Sequence, residues 1–198
     1  MLKVRNLAVR GLDPFDLDLD AGECVALSGP SGSGKTLVLR AIADLDPNAG
    51  EVALDGGARE AITGPAWRRR VTYFAAEPGW WEDVIGDHFA DRDAAVAILP
   101  VLRLSPGLLG QPVATVSTGE RQRLALLRGL LLEPRVLLLD EPTTGLDEEA
   151  AGTVESVLAE RLGGGAAIVL VTHDAGFSGR LAHRRLRIAN GRIEPVAS

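Results

Sequence analysis

The sequence has few of the residues and segments that define several common classes of protein. Only one cysteine, Cys24, occurs among the 198 residues, which excludes an internal disulfide. No spacing of cysteine and histidine indicates a transition-metal site. The longest apolar stretch, 94–102, is too short to span a bilayer, and the N-terminus has no apolar segment typical of a secretory signal. We therefore expect a cytoplasmic protein that meets a membrane only through a partner.

The sequence also lacks an excess of positive charge, since 21 Lys and Arg residues stand against 27 Asp and Glu and the formal net charge is −6. Proteins that bind nucleic acids usually carry a basic surface, so we expect no nucleic-acid partner. The apolar fraction of 46% supports a sizeable core, and the length suits one domain over 1–198. Short apolar runs at 24–28, 136–139 and 166–171 predict buried strands of a mostly parallel sheet, and the alternating RRLRI at 184–188 predicts an edge strand.

A glycine-rich stretch, GPSGSGKT, fits the phosphate-loop pattern G-x-x-x-x-G-K-[ST]. Small residues let consecutive backbone N–H groups surround a phosphate, and a helix that begins near Gly34 adds the positive end of its dipole. Lys35 is expected to reach the β- and γ-phosphates, and the Thr36 hydroxyl to bind Mg²⁺. The predicted phosphate-binding residues are Gly29, Pro30, Ser31, Gly32, Ser33, Gly34, Lys35 and Thr36.

Two carboxylates follow the apolar run at 136–139. Asp140 and Glu141 come at the C-terminal end of this predicted strand, where α/β sheets bind ligands. Asp140 is expected to hold Mg²⁺ opposite Thr36, and Glu141 to act as general base on the attacking water. The alternative is an apolar strand that ends in a solvated acidic turn. Together with the phosphate loop, the carboxylates fit the demands of phosphoryl transfer, so the sequence predicts binding and hydrolysis of a nucleoside triphosphate.

Three further motifs make the resemblance to one family specific. VSTGERQR (116–123) resembles the signature of ABC ATPases, TTGLDEE (143–149) resembles the loop after their second carboxylate motif, and VTHD (171–174) resembles their switch-histidine motif. The chain resembles the ATP-binding subunit of an ABC transporter over nearly its whole length. Its compact length and its motifs are similar to those of small ATPase subunits grouped with iron or metal exporters.

The resemblance implies an α/β fold and a working assembly. The fold is a P-loop NTPase core with a mostly parallel sheet, an N-terminal antiparallel β region and an inserted helical subdomain, which starts over 78–116 and ends with a signature helix to about residue 132. The resemblance implies that two chains, arranged head to tail, hold two ATP molecules between them. The dimer drives a separate membrane permease from the cytoplasmic face. The implied cargo is iron or another metal for export.

The resemblance also implies roles for individual residues. Glu141, His173 and Lys35 are then catalytic, and Mg²⁺ lies on Thr36 and Asp140. The nucleotide-binding residues beyond the phosphate loop are Ser117, Thr118, Gly119, Glu120 and Asp147. Two simpler interpretations stay open, because Ser117 also fits an ordinary helix N-cap and His173 a surface histidine.

The sequence departs from the family at three places. Ala76 stands where the family has a glutamine that touches Mg²⁺ and the attacking water, so we expect slow hydrolysis. The stretch 8–11 lacks the aromatic residue that stacks on adenine, which predicts weak discrimination between bases. Thr118 replaces the usual signature glycine, so its φ is either ordinary or strained.

Two adjacent tryptophans, Trp80 and Trp81, follow soon after Ala76. They cannot both point inward on a regular element, and exposed aromatics are enriched at protein interfaces. The family places a permease segment near this position, so we expect at least one tryptophan at that interface. The alternative is that one or both pack on the helical subdomain.

Other functions remain open from the sequence. A nucleotide-binding assembly or regulatory module with little turnover is favoured by Ala76. ABC ATPases of DNA repair or chromosome organisation carry a long coiled coil, for which the segment between Thr36 and Ser117 leaves no space. A translation-associated member would usually contain two cassettes, and this sequence contains one.

Overall fold

The computed structural model describes residues 1–196, so the last two residues of the predicted domain 1–198 lie outside the described part. The strands are β1 (Leu2–Ala8), β2 (Phe15–Leu19), β3 (Cys24–Ser28), β4 (Ala49–Leu54), β5 (Gly57–Ala58), β6 (Val71–Phe74), β7 (Val136–Asp140), β8 (Ala167–Val171), β9 (Arg184–Ala189) and β10 (Arg192–Pro195). The α-helices are α1 (Lys35–Ile42), α2 (Gly64–Arg70), α3 (Arg92–Ile98), α4 (Thr118–Leu130), α5 (Glu148–Gly163) and α6 (Ala175–Leu181).

The larger sheet has the strand order β10-β9-β3-β8-β7-β6 and is parallel except for the β9–β10 pair. All five residues of β7 and all five of β8 are buried, because helices or the smaller sheet cover both faces. The predicted α/β fold with a mostly parallel sheet is therefore confirmed.

The prediction that RRLRI forms an edge strand is wrong. β9 lies inside the larger sheet, between β3 and β10. The chain reverses at Asn190 and Gly191, whose φ values of 50° and 78° suit a two-residue hairpin turn. That turn returns β10 along the open side of β9, so β10 is the edge strand.

The smaller sheet is antiparallel, with the order β2-β1-β4-β5. Apolar and acidic residues alternate along β2, and the apolar ones are buried while the acidic ones are exposed. This sheet is the N-terminal antiparallel region that was expected. It covers one side of the core around α1.

Two apolar clusters lie on opposite faces of the larger sheet. Along β7, Val136 and Leu138 belong to the cluster that contains α1 and the smaller sheet, whereas Leu137 and Leu139 belong to the cluster with α4 and α5. Successive side chains of a strand point to opposite faces, so Asp140 follows on the α1 face. The periodicity of β7 therefore directs this carboxylate towards the phosphate loop.

Short helical segments fill the region between β6 and α4. The pattern at 92–102 predicts one helix, but α3 ends at Ile98 and a 3₁₀ turn, Leu99–Leu102, follows, because Pro100 cannot donate the next helical hydrogen bond. The helical pattern at 84–90 is a 3₁₀ turn at Ile85–His88. Within residues 1–196, no helix combines the length and the apolar character needed to cross a bilayer.

Candidate active site

The phosphate loop joins β3 to the first turn of α1. Gly34 precedes the helix with a φ of 105°, a conformation that side chains other than glycine rarely adopt. At Gly29, an added Cβ would lie 2.8 Å from Ser33 Oγ and 2.9 Å from Ile188 O. Glycine at both positions thus allows the tight path that leaves backbone N–H groups free for an anion.

The Lys35 side chain lies across this loop and is 9% exposed. Its Nζ donates hydrogen bonds to Gly29 O at 2.8 Å and to Pro30 O at 3.0 Å. The ammonium group is thereby held within the loop, next to the start of α1. This position suits an interaction with the β- and γ-phosphates, as the sequence predicts.

The predicted magnesium ligands come together from α1 and β7. Thr36 Oγ1 donates a hydrogen bond to Asp140 Oδ2 at 2.7 Å, and Asp140 is 5% exposed. A hydroxyl and a carboxylate are the oxygen ligands that Mg²⁺ uses together with nucleotide phosphates and water. No group of three potential metal-binding His, Cys, Asp or Glu residues occurs within residues 1–196, so the remaining ligands would have to come from the nucleotide and water. With ligands from the nucleotide and water added, the oxygens of Thr36 and Asp140 fit a Mg²⁺ site.

Sequence reasoning missed Tyr73, whose hydroxyl donates to the same Asp140 oxygen at 3.1 Å. The tyrosine lies on β6, which pairs with β7 in parallel. The sequence contains no motif that indicates this contact, because it depends on the register between two strands that are far apart in the chain.

Glu141 is held in an unusual conformation at the end of β7. Its φ is 50°, its N–H donates to Val171 O at 2.8 Å, and its Oε2 accepts a hydrogen bond from His173 N at 3.2 Å. Its Oε1 is buried without a hydrogen bond and lies 3.4 Å from His173 Nε2. Backbone strain and an unpaired buried carboxylate oxygen both cost free energy and are typical of functional sites.

One cleft of about 340 Å³ collects eight of the sixteen predicted site residues. His173 is 70% exposed at its side chain, in agreement with a residue that reaches a ligand. Ala76 contributes a methyl group where the resemblance predicts an amide. Besides Ala76, the cleft is lined by the predicted residues Ser31, Gly32, Gly34, Lys35, Thr36, Asp140, Glu141 and His173.

The signature residues do not line this cleft. Ser117 caps α4, where its Oγ accepts a hydrogen bond from Glu120 N at 3.3 Å. Glu120 Oε2 accepts from Ser117 Oγ at 2.6 Å and from Ser117 N at 3.0 Å, and these hydrogen bonds lower the pKa of Glu120. Thr118 is the first residue of α4 and has an ordinary φ. The N-cap interpretation is thus confirmed, and the role of this helix end in anion binding stays a prediction.

Asp147 lies beside the signature and also outside the cleft. Its side chain caps α5 by accepting a hydrogen bond from Ala150 N at 2.8 Å. The preceding loop is so close to α4 that a Cβ added at Gly119 would contact Leu146 at 3.3 Å. The predicted site is therefore divided into two groups within one chain.

The two tryptophans have different environments. Trp81 is 67% exposed, whereas Trp80 is half-buried against the core cluster that contains α4. The Arg128 guanidinium lies between them, with ring centroids 4.8 Å and 4.7 Å away, and it donates to Gly79 O at 3.1 Å. Burial lowers the pKa of Arg128. Sequence reasoning missed this arginine, which has no motif of its own.

His88 holds the loop that carries the tryptophans. Its Nε2 accepts hydrogen bonds from the backbone N–H groups of Trp81 and Glu82, both at 2.9 Å. The ring lies edge-on to both indoles. These contacts explain His88 as an anchor of the tryptophan loop.

Comparison with known proteins decides the family. A sequence model described as "ABC transporter" matches residues 12–144. The chain belongs to this family. The Fe(3+) ions import ATP-binding protein of Streptomyces coelicolor is 38% identical over 92% of this chain, and the chain spans 56% of that relative's length. An aliphatic sulfonates import ATP-binding protein of Pseudomonas syringae is 38% identical over 93% of this chain and 67% of its own length.

Solved structures of ATP-binding cassettes have the same fold. A structure titled as the ATP binding subunit of an ABC transporter has a TM-score of 0.86 and 26% identity, and the match covers 99% of this chain and 90% of that chain. An ATP-binding cassette solved as a dimer with ADP and Pi in a post-hydrolysis state has a TM-score of 0.85 over the full length of both chains. Its 22% identity supports the fold alone.

The expected link to metal exporters finds no support in these relatives. Their names describe import of Fe(3+) ions, of aliphatic sulfonates and, for a Nocardia farcinica relative that is 37% identical, of hemin. The likeness to exporters rested on compact length and on motifs that the whole family shares. Neither feature distinguishes the direction of transport.

Proposed function

We propose that this chain is the ATP-hydrolysing subunit of an ABC transporter, in which two copies close around two ATP molecules and drive a membrane permease. The observation that carries the proposal is the cleft itself. Around one volume lie the Lys35 ammonium group, the hydrogen-bonded Thr36 and Asp140 side chains and the buried Glu141 Oε1. The ammonium group suits a phosphate, the two side chains suit Mg²⁺, and the buried oxygen suits a general base.

Each residue of the cleft has a proposed step in hydrolysis. The loop N–H groups and Lys35 bind the phosphates of ATP, and Mg²⁺, when bound by Thr36 and Asp140, supplies charge neutralisation at the phosphate oxygens. Glu141 Oε1 is free to accept a proton from the attacking water. His173 lies 3.4 Å from that oxygen and is positioned to contact the γ-phosphate and to orient the base.

A second copy of the chain would complete the site. The end of α4 at Ser117–Glu120 offers N–H groups and a positive dipole, but lies outside the cleft of its own chain. A head-to-tail dimer brings this helix end to the γ-phosphate bound by the other copy. The family relationship supports this arrangement.

The dimer mechanism predicts how turnover depends on protein concentration. ATP hydrolysis with Mg²⁺ should rise more than linearly with the concentration of the chain, because only dimers have complete sites. Glu141→Gln is expected to lower the rate by roughly 10²- to 10⁴-fold, the usual contribution of a general base, without loss of ATP binding. Lys35→Ala should lose both turnover and tight ATP binding. A rate that is linear in protein concentration and survives Glu141→Gln would contradict the mechanism.

We further propose that the transporter works as an importer on the cytoplasmic face of the membrane. The import proteins among the relatives support this direction. Their named cargoes are Fe(3+) ions, aliphatic sulfonates and hemin. Because relatives of nearly equal identity serve iron compounds and organic sulfonates, we propose that the permease rather than this chain sets the cargo.

A groove of about 410 Å³ beside the cleft is the proposed docking site for a permease segment. It is lined by β6, by Trp81, by Gln122 and Arg128 of α4, and by Leu132, which follows the end of that helix. Trp81 and Leu132 are 67% and 46% exposed, and Arg128 Nη1 is buried without a hydrogen-bond partner. The exposed apolar area of Trp81 and Leu132 surrounds the Arg128 guanidinium, whose Nη1 has no hydrogen-bond partner. This combination suits a helical permease segment that carries a carboxylate.

Replacement of the exposed tryptophan tests this docking site. Trp81→Ala should weaken assembly with the permease by about tenfold or more, because aromatic residues at interface centres commonly contribute over 1.4 kcal/mol. Its ATP affinity should stay unchanged. Val101→Ala is the matched control, since Val101 is 51% exposed on another surface and should assemble normally. Equal assembly of both variants would rule out the groove.

The second candidate is a nucleotide-binding module with little turnover. Ala76 favours it, because the cleft has no amide at this position to orient water. This candidate predicts ATP binding and dimerisation without hydrolysis above that of Glu141→Gln, even in the presence of the permease.

A further inference from the structure

Two hydroxyl groups converge on one oxygen of Asp140. Thr36 donates to Asp140 Oδ2 at 2.7 Å from α1, and Tyr73 donates to the same atom at 3.1 Å from β6. A hydrogen bond to an ionised acceptor is stronger than one between neutral groups. The carboxylate is therefore held from two different elements before any ion is considered.

The register of the larger sheet explains why Tyr73 reaches this carboxylate. Tyr73 pairs with Leu138 of β7, so its side chain lies on the same face as Leu138 and Asp140. The Arg40 guanidinium lies 6.0 Å from the centre of its ring.

The strand that carries Tyr73 is fixed from its other face. Phe74 packs against α4 at Gly129, where an added Cβ would overlap the phenyl ring. Glycine at this position lets β6 and α4 approach closely. The tyrosine hydroxyl is therefore presented from a rigid position, whereas Ala76, two residues after β6, brings no polar group to the cleft.

We propose that Tyr73 is a positioning residue that holds Asp140 in the orientation required to bind Mg²⁺. Thr36 would turn its hydroxyl oxygen towards the ion, and Tyr73 would keep its bond to the carboxylate. Groups that support a metal ligand in this way commonly change metal affinity by 10- to 100-fold when removed. This inference rests on the proposed function, because it concerns the same nucleotide site.

Tyr73→Phe tests the proposal, because it removes one hydroxyl and keeps the ring. In the Glu141→Gln background, where turnover does not interfere, light scattering measures dimerisation with ATP as Mg²⁺ is added. The Mg²⁺ concentration at half-maximal dimerisation should rise by about tenfold or more. ATP affinity in the presence of EDTA should stay unchanged, a result that general loss of structure would not produce.

Thr72→Val is the matched control. Thr72 is the neighbouring residue on β6, and its buried hydroxyl donates to Arg68 O at 2.9 Å instead of to Asp140. Thermal unfolding and the Mg²⁺ dependence of this variant should separate loss of stability from loss of positioning. An unchanged Mg²⁺ midpoint in folded Tyr73→Phe, or an equal shift in Thr72→Val, overturns the proposal. If the Glu141→Gln protein itself does not dimerise with Mg²⁺ and ATP, the proposed function fails, and this inference fails with it.

Discussion

The two groups of predicted nucleotide residues differ in how the chain assembles them. The phosphate loop, Asp140 and Glu141 come from distant parts of the sequence and meet in one cleft. The signature group, Ser117–Glu120, is complete within a single helix turn, through reciprocal bonds between Ser117 and Glu120. One half of the site therefore depends on the folded sheet, and the other depends on local sequence.

Under the proposed function, this difference makes a second copy of the chain necessary. The cleft brings together the ammonium group of Lys35, the Thr36 and Asp140 oxygens and the buried Glu141 Oε1. The end of α4 supplies donors, but it has no phosphate loop beside it in the same chain. Each group is incomplete in a complementary way, as expected for a site shared between two chains.

Mixing two inactive variants should have the largest effect and tests this sharing directly. Lys35→Ala and Ser117→Arg are each expected to lose turnover by about 100-fold or more. Mixed together, they should recover about a quarter of the normal rate, because half of the dimers are mixed and each of those has one intact site. The measurement is ATP hydrolysis by equimolar mixtures.

The control mixture combines Lys35→Ala with Glu141→Gln. Both changes lie in the same half of the site, so every mixed dimer has a defect at each cleft and no activity should return. Recovery in this mixture, or none in the first, would show that the two groups do not combine across chains.

A smaller effect is expected from Ala76→Gln, which restores an amide to the cleft. Turnover should rise several-fold, since the amide can orient the attacking water. Glu77→Ala is the companion variant, because exposed Glu77 follows Ala76 directly and should not affect the rate. An unchanged rate in Ala76→Gln would mean that the missing glutamine does not limit hydrolysis, and a loss in Glu77→Ala would mean that Glu77 replaces it.

The smallest effect concerns the cap of α4. Ser117→Ala should lower the free energy of unfolding by about 1 kcal/mol, as loss of an N-cap usually does. Asp91→Ala removes an equivalent cap from α3, where Asp91 accepts a hydrogen bond from Ala94 N at 2.9 Å. Chemical denaturation should show similar losses for both, but only Ser117→Ala should also lower ATP hydrolysis. If Ser117→Ala and Asp91→Ala hydrolyse ATP at the same rate, Ser117 has only the role of a helix cap.

Local signals account for the correct predictions of the fold. The uninterrupted apolar runs of β3, β7 and β8 predict strands buried on both faces, and glycines before Lys35 predict the turn into α1. The prediction failed at β9, because the position of this strand in the sheet depends on a neighbouring strand. β9 has the alternating pattern of an edge strand, but the Asn190–Gly191 turn brings β10 to its open side.

The predicted site residues in the cleft, and the missing amide at Ala76, follow from motifs with known chemistry. The contacts of Tyr73, Arg128 and His88 do not, because a tyrosine, an arginine or a histidine at these positions has no local pattern that identifies its partner. Their roles emerge only when β6, α4 and the tryptophan loop are packed together.

The sequence by itself determined the family, the phosphate-binding and carboxylate motifs and the cap of the signature helix, because each depends on residues that are adjacent or share one turn or strand. The tertiary structure alone decided that Tyr73 holds Asp140, that Trp81 is exposed while Trp80 is half-buried, and that the signature lies outside the cleft. These outcomes depend on strand register and helix packing, in which residues far apart in the chain come within a few ångströms of one another.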